Sequence, residues 1–312
     1  MKQTLTFRPD HTFTIVQFTD VHFIEGNEKD LRTRDLIVRV MEMEKPDLIV
    51  FTGDVVEANR CPDPIAAFRE IAAAVEQSGI PWAVVYGNHD TEEKITRQEL
   101  MQAVTECKNV LAESGPANIG GAGNYVLKVA DANGRTAAAL YFLDSGSVST
   151  LPHVNGYGWI ERGQINWYMQ QSRELTEQNG GNPLPALAFF HIPLPEYDEV
   201  WQREVCCGNK LEDVCCPKIN TGFFSAMVEM GDVIGTFAGH DHVNDYCGTL
   251  HGIKLCYGRA TGYNTYGRDE FPRGARVIRM HAGEREFESW LRLDDGSVVT
   301  EQPVHQPEQG GK

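Results

Sequence analysis

The sequence predicts an α/β architecture in which two mixed β-sheets pack face to face as a sandwich, with helices on the outside. Three observations predict it. Apolar strand-like runs alternate with helical stretches through the first half, the end of the chain is rich in short strands, and five of the apolar runs close on polar, chemistry-bearing residues. Alternation of this kind builds parallel strands with crossover helices, and the strand-rich end adds antiparallel strands to the same layers. With 312 residues, 41% of them hydrophobic, the chain can bury a full core. Residues 1–300 read as one domain without internal repeat or linker, and the Gln/Pro/Gly-rich residues 301–312 read as a flexible tail.

The first buried strand is Phe13 to Thr19, rich in β-branched and aromatic residues, and it delivers Asp20 at its end. A helical pattern from Leu31 to Glu44 stops before Pro46, because the residue ahead of a proline is pushed out of the helical region. Asp47 to Thr52 forms the second strand and ends at Gly53-Asp54. An Ala-rich helix from Ile65 to Gln77 stops at Gly79, and the strand Trp82 to Tyr86 runs into Gly87-Asn88-His89-Asp90. Tyr125 to Val129 and Thr136 to Leu143 pair as a hairpin through Asn133-Gly134. A helix then covers Gln164 to Gln178, and Ala186 to Phe190 closes on His191. The helix Phe223 to Met230 precedes the strand Val233 to Ala238, which closes on Gly239-His240-Asp241-His242. Ile253 to Tyr257 and Ala275 to Met280 read as antiparallel strands. The segment Pro193 to Thr221 is long, polar and cysteine-rich, which marks it as a functional loop rather than a simple connection.

Charge narrows the function classes. Lys and Arg number 28 against 44 Asp and Glu, a formal net charge of −16, so duplex DNA and other polyanions are repelled by the average surface and no nucleic-acid partner is expected. A small phosphate ester remains compatible, because a bound metal pair reverses the local field. The N-terminal residues show no h-region or cleavage site, and no apolar run is long enough to span a membrane, so a cytoplasmic location without membrane attachment is expected. Of the eight cysteines, four form the adjacent pairs Cys206-Cys207 and Cys215-Cys216. They match neither a zinc knuckle nor a dispersed disulfide framework and read as free thiols, with disulfides across the loop or a further metal site as the alternatives.

The chemistry sits in an ordered set: Asp20-x-His22, Gly53-Asp54, Gly87-Asn88-His89-Asp90, an isolated His191, and Gly239-His240-x-His242. Taken singly, Asp20 and Asp54 could cap a turn or a helix, and His191 could be a satisfied core histidine. Together they offer carboxylate oxygens, an amide oxygen and several imidazoles at strand ends, a mixed N/O set suited to Zn, Fe or Mn and large enough for two ions. Asp241 and Asp245 read as turn formers that aim the flanking histidines. Downstream, the stretch YGRATGYNTYGR contains Arg259, Tyr263, Asn264, Tyr266 and Arg268. We expect Arg259 or Arg268 to grip a phosphate while a tyrosine covers the site, with an ordinary Gly/Tyr-rich strand as the alternative.

These motifs, with the longer strings FTGDVV, YGNHD, NTGFF and AGHDHVNDY, resemble the calcineurin-like metallophosphoesterase superfamily from Asp20 to His242, and most closely its purple-acid-phosphatase-like branch with the Icc-type phosphohydrolases. The resemblance implies the four-layer fold of that superfamily and a dinuclear centre. Asp20, His22 and His242 would bind one ion and Asn88, His191 and His240 the other, with Asp54 bridging. It implies further that His89 assists the leaving group, with Asp90 holding its ring. A phosphomonoesterase is the preferred activity. A small-molecule or cyclic-nucleotide phosphodiesterase and a non-catalytic scaffold are the alternatives, and a phosphoprotein is the partner-based option. True purple acid phosphatases carry a metal-binding Tyr three residues after the bridging Asp. That position here is Glu57, so an obligatory ferric ion is not expected.

Overall fold

The computed structural model describes residues 3–307. In chain order the elements are β1 (Leu5–Thr6), β2 (Thr12–Phe18), α1 (Glu28–Glu44), β3 (Leu48–Thr52), α2 (Pro64–Glu76), β4 (Trp82–Val85), α3 (Arg97–Thr105), β5 (Tyr125–Ala130), β6 (Thr136–Phe142), α4 (Arg162–Gln178), β7 (Ala186–Phe189), α5 (Glu196–Arg203), β8 (Cys206–Cys207), α6 (Phe223–Met230), β9 (Val233–Ala238), β10 (Cys247–Leu250), β11 (Ile253–Tyr257), β12 (Gly274–His281), β13 (Phe287–Leu293), β14 (Val298–Val299) and β15 (Val304–His305). Two mixed sheets result. One runs β14-β13-β12-β2-β3-β4 and the other β1-β5-β6-β7-β9-β11-β10-β8-β15. The expected pair of packed sheets with flanking helices is the architecture found.

Local chemistry sets the element ends. Asn27 caps α1 by accepting from Lys29 and Asp30 N–H, while the buried Asp30 carboxylate returns to the backbone N–H groups of Ile24 to Asn27. Asp63 caps α2 and Pro64 occupies its first turn, where the missing N–H costs nothing. Between the sheets, Phe142, Phe189 and Phe237 stack across β6, β7 and β9 with centroids 5.1 and 5.3 Å apart, and Tyr125 extends the row at 4.6 Å. Each such pair adds about 0.5–1.5 kcal/mol beyond area burial. This fixes the relative height of β7 and β9 close to the carboxyl ends that carry the site.

Three features differ from expectation. Helix α3, absent from the expected elements, follows a Thr96/Glu99 capping box. Helix α5 lies inside the segment 193–221 that was expected to be loop, burying Tyr197 and Val200 on one face. The tail expected from residue 301 includes β15, which pairs with β8, and His305 stacks on Trp201 at 3.8 Å. The remainder of that tail, residues 308–312, lies outside the described residues. Among the described residues no helix is long and apolar enough to cross a membrane. All eight cysteines are free thiols, as the preferred reading had them.

Candidate metal centre

Strands β2, β3 and β4 are parallel neighbours in one sheet, and β7 and β9 are parallel neighbours in the other. Their carboxyl ends meet at one edge of the sandwich, and every residue of the ordered motif set follows one of these five ends. The chain turns sharply there. Asp20, His22, Asp54 and His240 all adopt positive φ, at 53°, 48°, 49° and 79°. Such conformations cost on the order of 1–3 kcal/mol each in a non-glycine residue and persist where the surrounding structure fixes them. Four in one cluster point to a built site.

The backbone of one turn supports the next. Asp20 N–H donates to Gly53 O, His22 N–H to Asp54 O, and Gly239 N–H to His191 O. Asp54 Oδ1 accepts from His89 N–H at 2.7 Å, and both Asp20 carboxylate oxygens accept from His240 N–H. The two sheets are thereby joined through the polar residues themselves.

Two groups of ligand-type atoms result. Asp20, His22, Asp54 and His242 form one, Asp54, His191 and His240 the other, with the atoms of each group all within 4.8 Å of one another. Asp54 belongs to both. His191 Nδ1 contacts Thr52 O at 2.8 Å, which turns Nε2 towards Asp54 Oδ2 at 3.1 Å, Asn88 Oδ1 at 3.2 Å and His240 Nδ1 at 3.2 Å. His242 Nε2 lies 3.4 Å from Asp20 Oδ1, and its Nδ1 meets Thr265 Oγ1 at 2.8 Å. The sequence-selected residues Asp20, His22, Asp54, Asn88, His191, His240 and His242 are therefore brought together.

The donors fit a metal pair. Both ring nitrogens of His22 and Nε2 of His240 are buried with no hydrogen bond in the protein, and Asp54 Oδ2 has only the His191 ring beside it at 3.1 Å among the described residues. An unsatisfied buried polar atom costs about 1–3 kcal/mol, and His22 Nε2, 3.7 Å from Asp54 Oδ2, is left facing the shared carboxylate. Electrostatics agrees. Burial opposes charge on Asp20, but the neighbouring His242 and His191 outweigh it and hold the carboxyl below its usual range. Burial and the charge of His191 keep His240 neutral, with its pKa down at about 3. Burial works against His191, yet the Asp54 carboxylate beside it raises the imidazole to about 9. A metal ion taken up there exchanges for a proton.

Gly87 shows how tightly this is packed: a Cβ at that position would lie 2.1 Å from Asp54 Oδ1 and 2.5 Å from Asp54 N. Gly87→Ala is expected to displace the Asp54 carboxylate and lower any metal-dependent kcat/KM by roughly 100-fold, the typical cost of an ångström-scale misplacement. Steady-state kinetics on the metal-loaded variant checks this, and unchanged kinetics would show that Asp54 placement does not matter.

Several expected roles need correction. His89 does sit beside the groups, its ring centroid 5.2 Å from that of His22, but Asp90 does not hold it. The Asp90 carboxylate is fully buried and accepts from the backbone N–H groups of Asp54, Val56 and Gly87, tying three turns together. Glu92 meets His89 Nδ1 at 2.9 Å instead. Arg259 is buried against Asp245, donates through Nε to Pro272 O and lies over the Phe271 ring, so it cannot grip a substrate. Tyr263 donates to Asp294 under the guanidinium of Arg32, and Arg268 reaches Leu211 O. Tyr197, inside the 193–221 segment, is buried and contacts Thr236.

Other residues take the places next to the centre. Tyr266 stacks on His242 at 4.1 Å and donates to Glu212, and Tyr157 meets His240 edge-on at 4.3 Å. Tyr266 lies in the polar-aromatic stretch already singled out. Tyr157 stands in a turn-rich segment without motif or period. Asp241 and Asp245 are structural, as expected: Asp241 accepts from Tyr257 OH and Cys215 N–H, and Asp245 pairs with Arg259.

Comparison with known proteins supplies the family. Residues 13–244 match the profile described as calcineurin-like phosphoesterase. The chain is 35% identical over 332 residues to "Probable inactive purple acid phosphatase 29" of Arabidopsis thaliana, covering 94% of this chain and 85% of that one. It is 32% identical over 327 residues to "Phosphatase DCR2" of Saccharomyces cerevisiae, covering 94% and 55%. The crystal structure of a dimetal phosphatase from Danio rerio superposes with a TM-score of 0.59 at 13% identity, covering 93% of this chain and 99% of the other, a likeness of fold. A profile match over most of the length, with relatives above 30% identity, makes this chain a member of the calcineurin-like phosphoesterase family.

Proposed function

We propose that the chain is a dinuclear metal-dependent hydrolase of small phosphate esters, with phosphomonoesters preferred. The observation that carries this reading is the Asp54 carboxylate shared by two buried, convergent donor groups. Asp20, His22, His242 and Asp54 would hold one ion of the Mn, Fe or Zn type, and Asn88, His191, His240 and Asp54 the other. When bound, such a pair supplies Lewis acidity and a water acidic enough to serve as nucleophile near neutral pH.

The protein's own groups do the rest. The Glu92 carboxylate at His89 Nδ1 favours a proton on that nitrogen and supports the imidazolium, the form in which Nε2 would also carry a proton to present to the leaving oxygen. Side-chain exposure of 38% leaves His89 accessible to a substrate that His22, fully enclosed, does not meet. Tyr157 and Tyr266 flank His240 and His242 and would shield that side from water. The net charge of −16 favours a small ester over a nucleic acid. A second reading, a scaffold that keeps the fold without turnover, is favoured by the words "probable inactive" in the names of three Arabidopsis relatives.

The test is hydrolysis of p-nitrophenyl phosphate against bis-p-nitrophenyl phosphate by metal-stripped protein with Mn, Fe(II), Zn or Mg added back. Metal-restored activity with the monoester ahead is expected, and His89→Ala should lower kcat by about 10²–10⁴-fold while leaving metal content unchanged. A preference for the diester would make the chain a phosphodiesterase. Full activity in His89→Ala would remove that residue from the reaction.

A further inference from the structure

Away from the Asp/His centre, three thiols stand side by side across neighbouring strands. Cys247 of β10 lies opposite Cys207 of β8 on one side and opposite Cys256 of β11 on the other. In the adjoining pair Tyr257 N–H donates to Tyr246 O at 3.0 Å. By the alternation of an antiparallel ladder, Cys247 and Cys256 then form a non-hydrogen-bonded pair, in which facing side chains come closest and Cα atoms sit roughly 4.5 Å apart. That is within the span of about 4.4–6.8 Å that a disulfide bridges. Three thiols in a row do not converge on one point, and among the described residues the metal-type groups are both at the Asp/His centre.

The surroundings make the middle thiol reactive. Cys247 lines a cavity of about 550 Å³ together with Cys207, Lys254, Arg276 and Ser289. Arg276 is 1% exposed, and its guanidinium donates to Tyr257 O, Ser289 Oγ and Asp245 O, all neutral acceptors, so its charge stays available to an anion beside it. Burial works against the Cys247 thiolate, but the contact with Cys256 and the charges of Arg276 and Lys254 lower the thiol. Burial pushes Cys256 well above the usual thiol range. The thiolate is the nucleophilic form, and Cys247, which lines the cavity beside Arg276 and Lys254 where Cys256 does not, meets an entering oxidant first. By contrast Cys206 turns its sulfur to Val200 O, and burial holds Cys215 up at about 12.

We propose that Cys247 is an oxidation site for a peroxide-class oxidant entering the cavity beside β10, and that Cys256 resolves the product into a cross-strand disulfide. The Cys247 thiolate attacks one peroxide oxygen and the O–O bond breaks. Cys247 becomes a sulfenic acid, oxidised by two electrons, and the second oxygen leaves and takes up a proton as water. The Cys256 sulfur then displaces the sulfenic hydroxyl, which departs as water with the Cys256 proton. Two thiols and one peroxide thus give one disulfide and two waters.

The test treats the reduced full chain with hydrogen peroxide, alkylates the remaining thiols and maps peptides by mass spectrometry. Cleavage after Lys254 separates the two cysteines, so the disulfide is read as a linked peptide pair with loss of two thiols per chain. The expected result is that Cys247–Cys256 linkage at a dose that leaves Cys61 and Cys107 reduced. In Cys256→Ala a dimedone adduct should collect on Cys247. A Cys207–Cys247 linkage as the main product, a first adduct on Cys207, or oxidation of Cys247 no earlier than of Cys61 would overturn the proposal.

Discussion

Asp54→Asn is expected to lower metal-dependent kcat/KM by more than about 100-fold and to reduce bound metal to one ion per chain or fewer. Substitutions that touch only the groups supporting a ligand already cost about 10–100-fold, and Asp54 would be the ligand common to both ions. One of its oxygens accepts from His89 N–H and the other faces His191 Nε2. An amide of the same shape replaces one oxygen with a donor, which cannot ligate an ion and would point at His89 N–H or at the His191 ring. It also removes the negative charge that offsets two cations. The fold should survive, because the strands on either side close through apolar packing and the phenylalanine row rather than through this carboxylate. Elemental analysis and circular dichroism on the same sample separate the two effects. Activity within tenfold of wild type, with two ions bound, would show that Asp54 is not shared.

Arg259→Ala is expected to damage stability and spare substrate binding. The guanidinium pairs with the buried Asp245 carboxylate, donates to Pro272 O and covers the Phe271 ring at 3.3 Å. Removing one member of a buried pair leaves the other as an uncompensated charge and costs about 3–5 kcal/mol. In a chain of this size that lowers Tm by on the order of 10 °C. Asp245 retains only the Asn209 N–H groups, which hold the segment beneath the centre. KM for a phosphate ester should change less than about twofold at a temperature where the variant is folded, since Arg259 presents no donor to the centre. A tenfold rise in KM at unchanged Tm would restore the phosphate-gripping role that its sequence neighbourhood first indicated.

The contrast between these two residues shows what the sequence makes legible. Asp54, like Asp20, Asn88, His191 and His240, follows a buried parallel strand, and strand ends in a sheet of this kind are places where the chain must turn and where ligands collect. The residue and its placement are therefore read from one local pattern. Arg259 also follows a strand, but its role depends on Asp245 across the β10–β11 hairpin, and no local period reports which carboxylate a long side chain will find. Glu92 and Asp90 differ in the same way. Asp90 is the carboxylate next to His89 in sequence, yet the turn aims it inward at three backbone N–H groups, and the carboxylate two residues on reaches the ring. Helix α3 was legible through its capping box. Helix α5 has two turns inside a cysteine-rich stretch, and β15 exists only because β8 offers it an edge, so both depend on tertiary partners that propensity does not contain.

Whether two ions gathered around Asp54 perform hydrolysis is tested most directly by titrating metal-stripped protein with Mn, Fe(II) or Zn while following bound metal and p-nitrophenyl phosphate hydrolysis together. Turnover is expected to rise as the second equivalent binds, and Asp54→Asn to abolish this step. Two tightly bound ions with no hydrolysis of monoester or diester would contradict it and leave a metal-loaded scaffold, and no binding at all would contradict the reading of the donor groups as a metal centre.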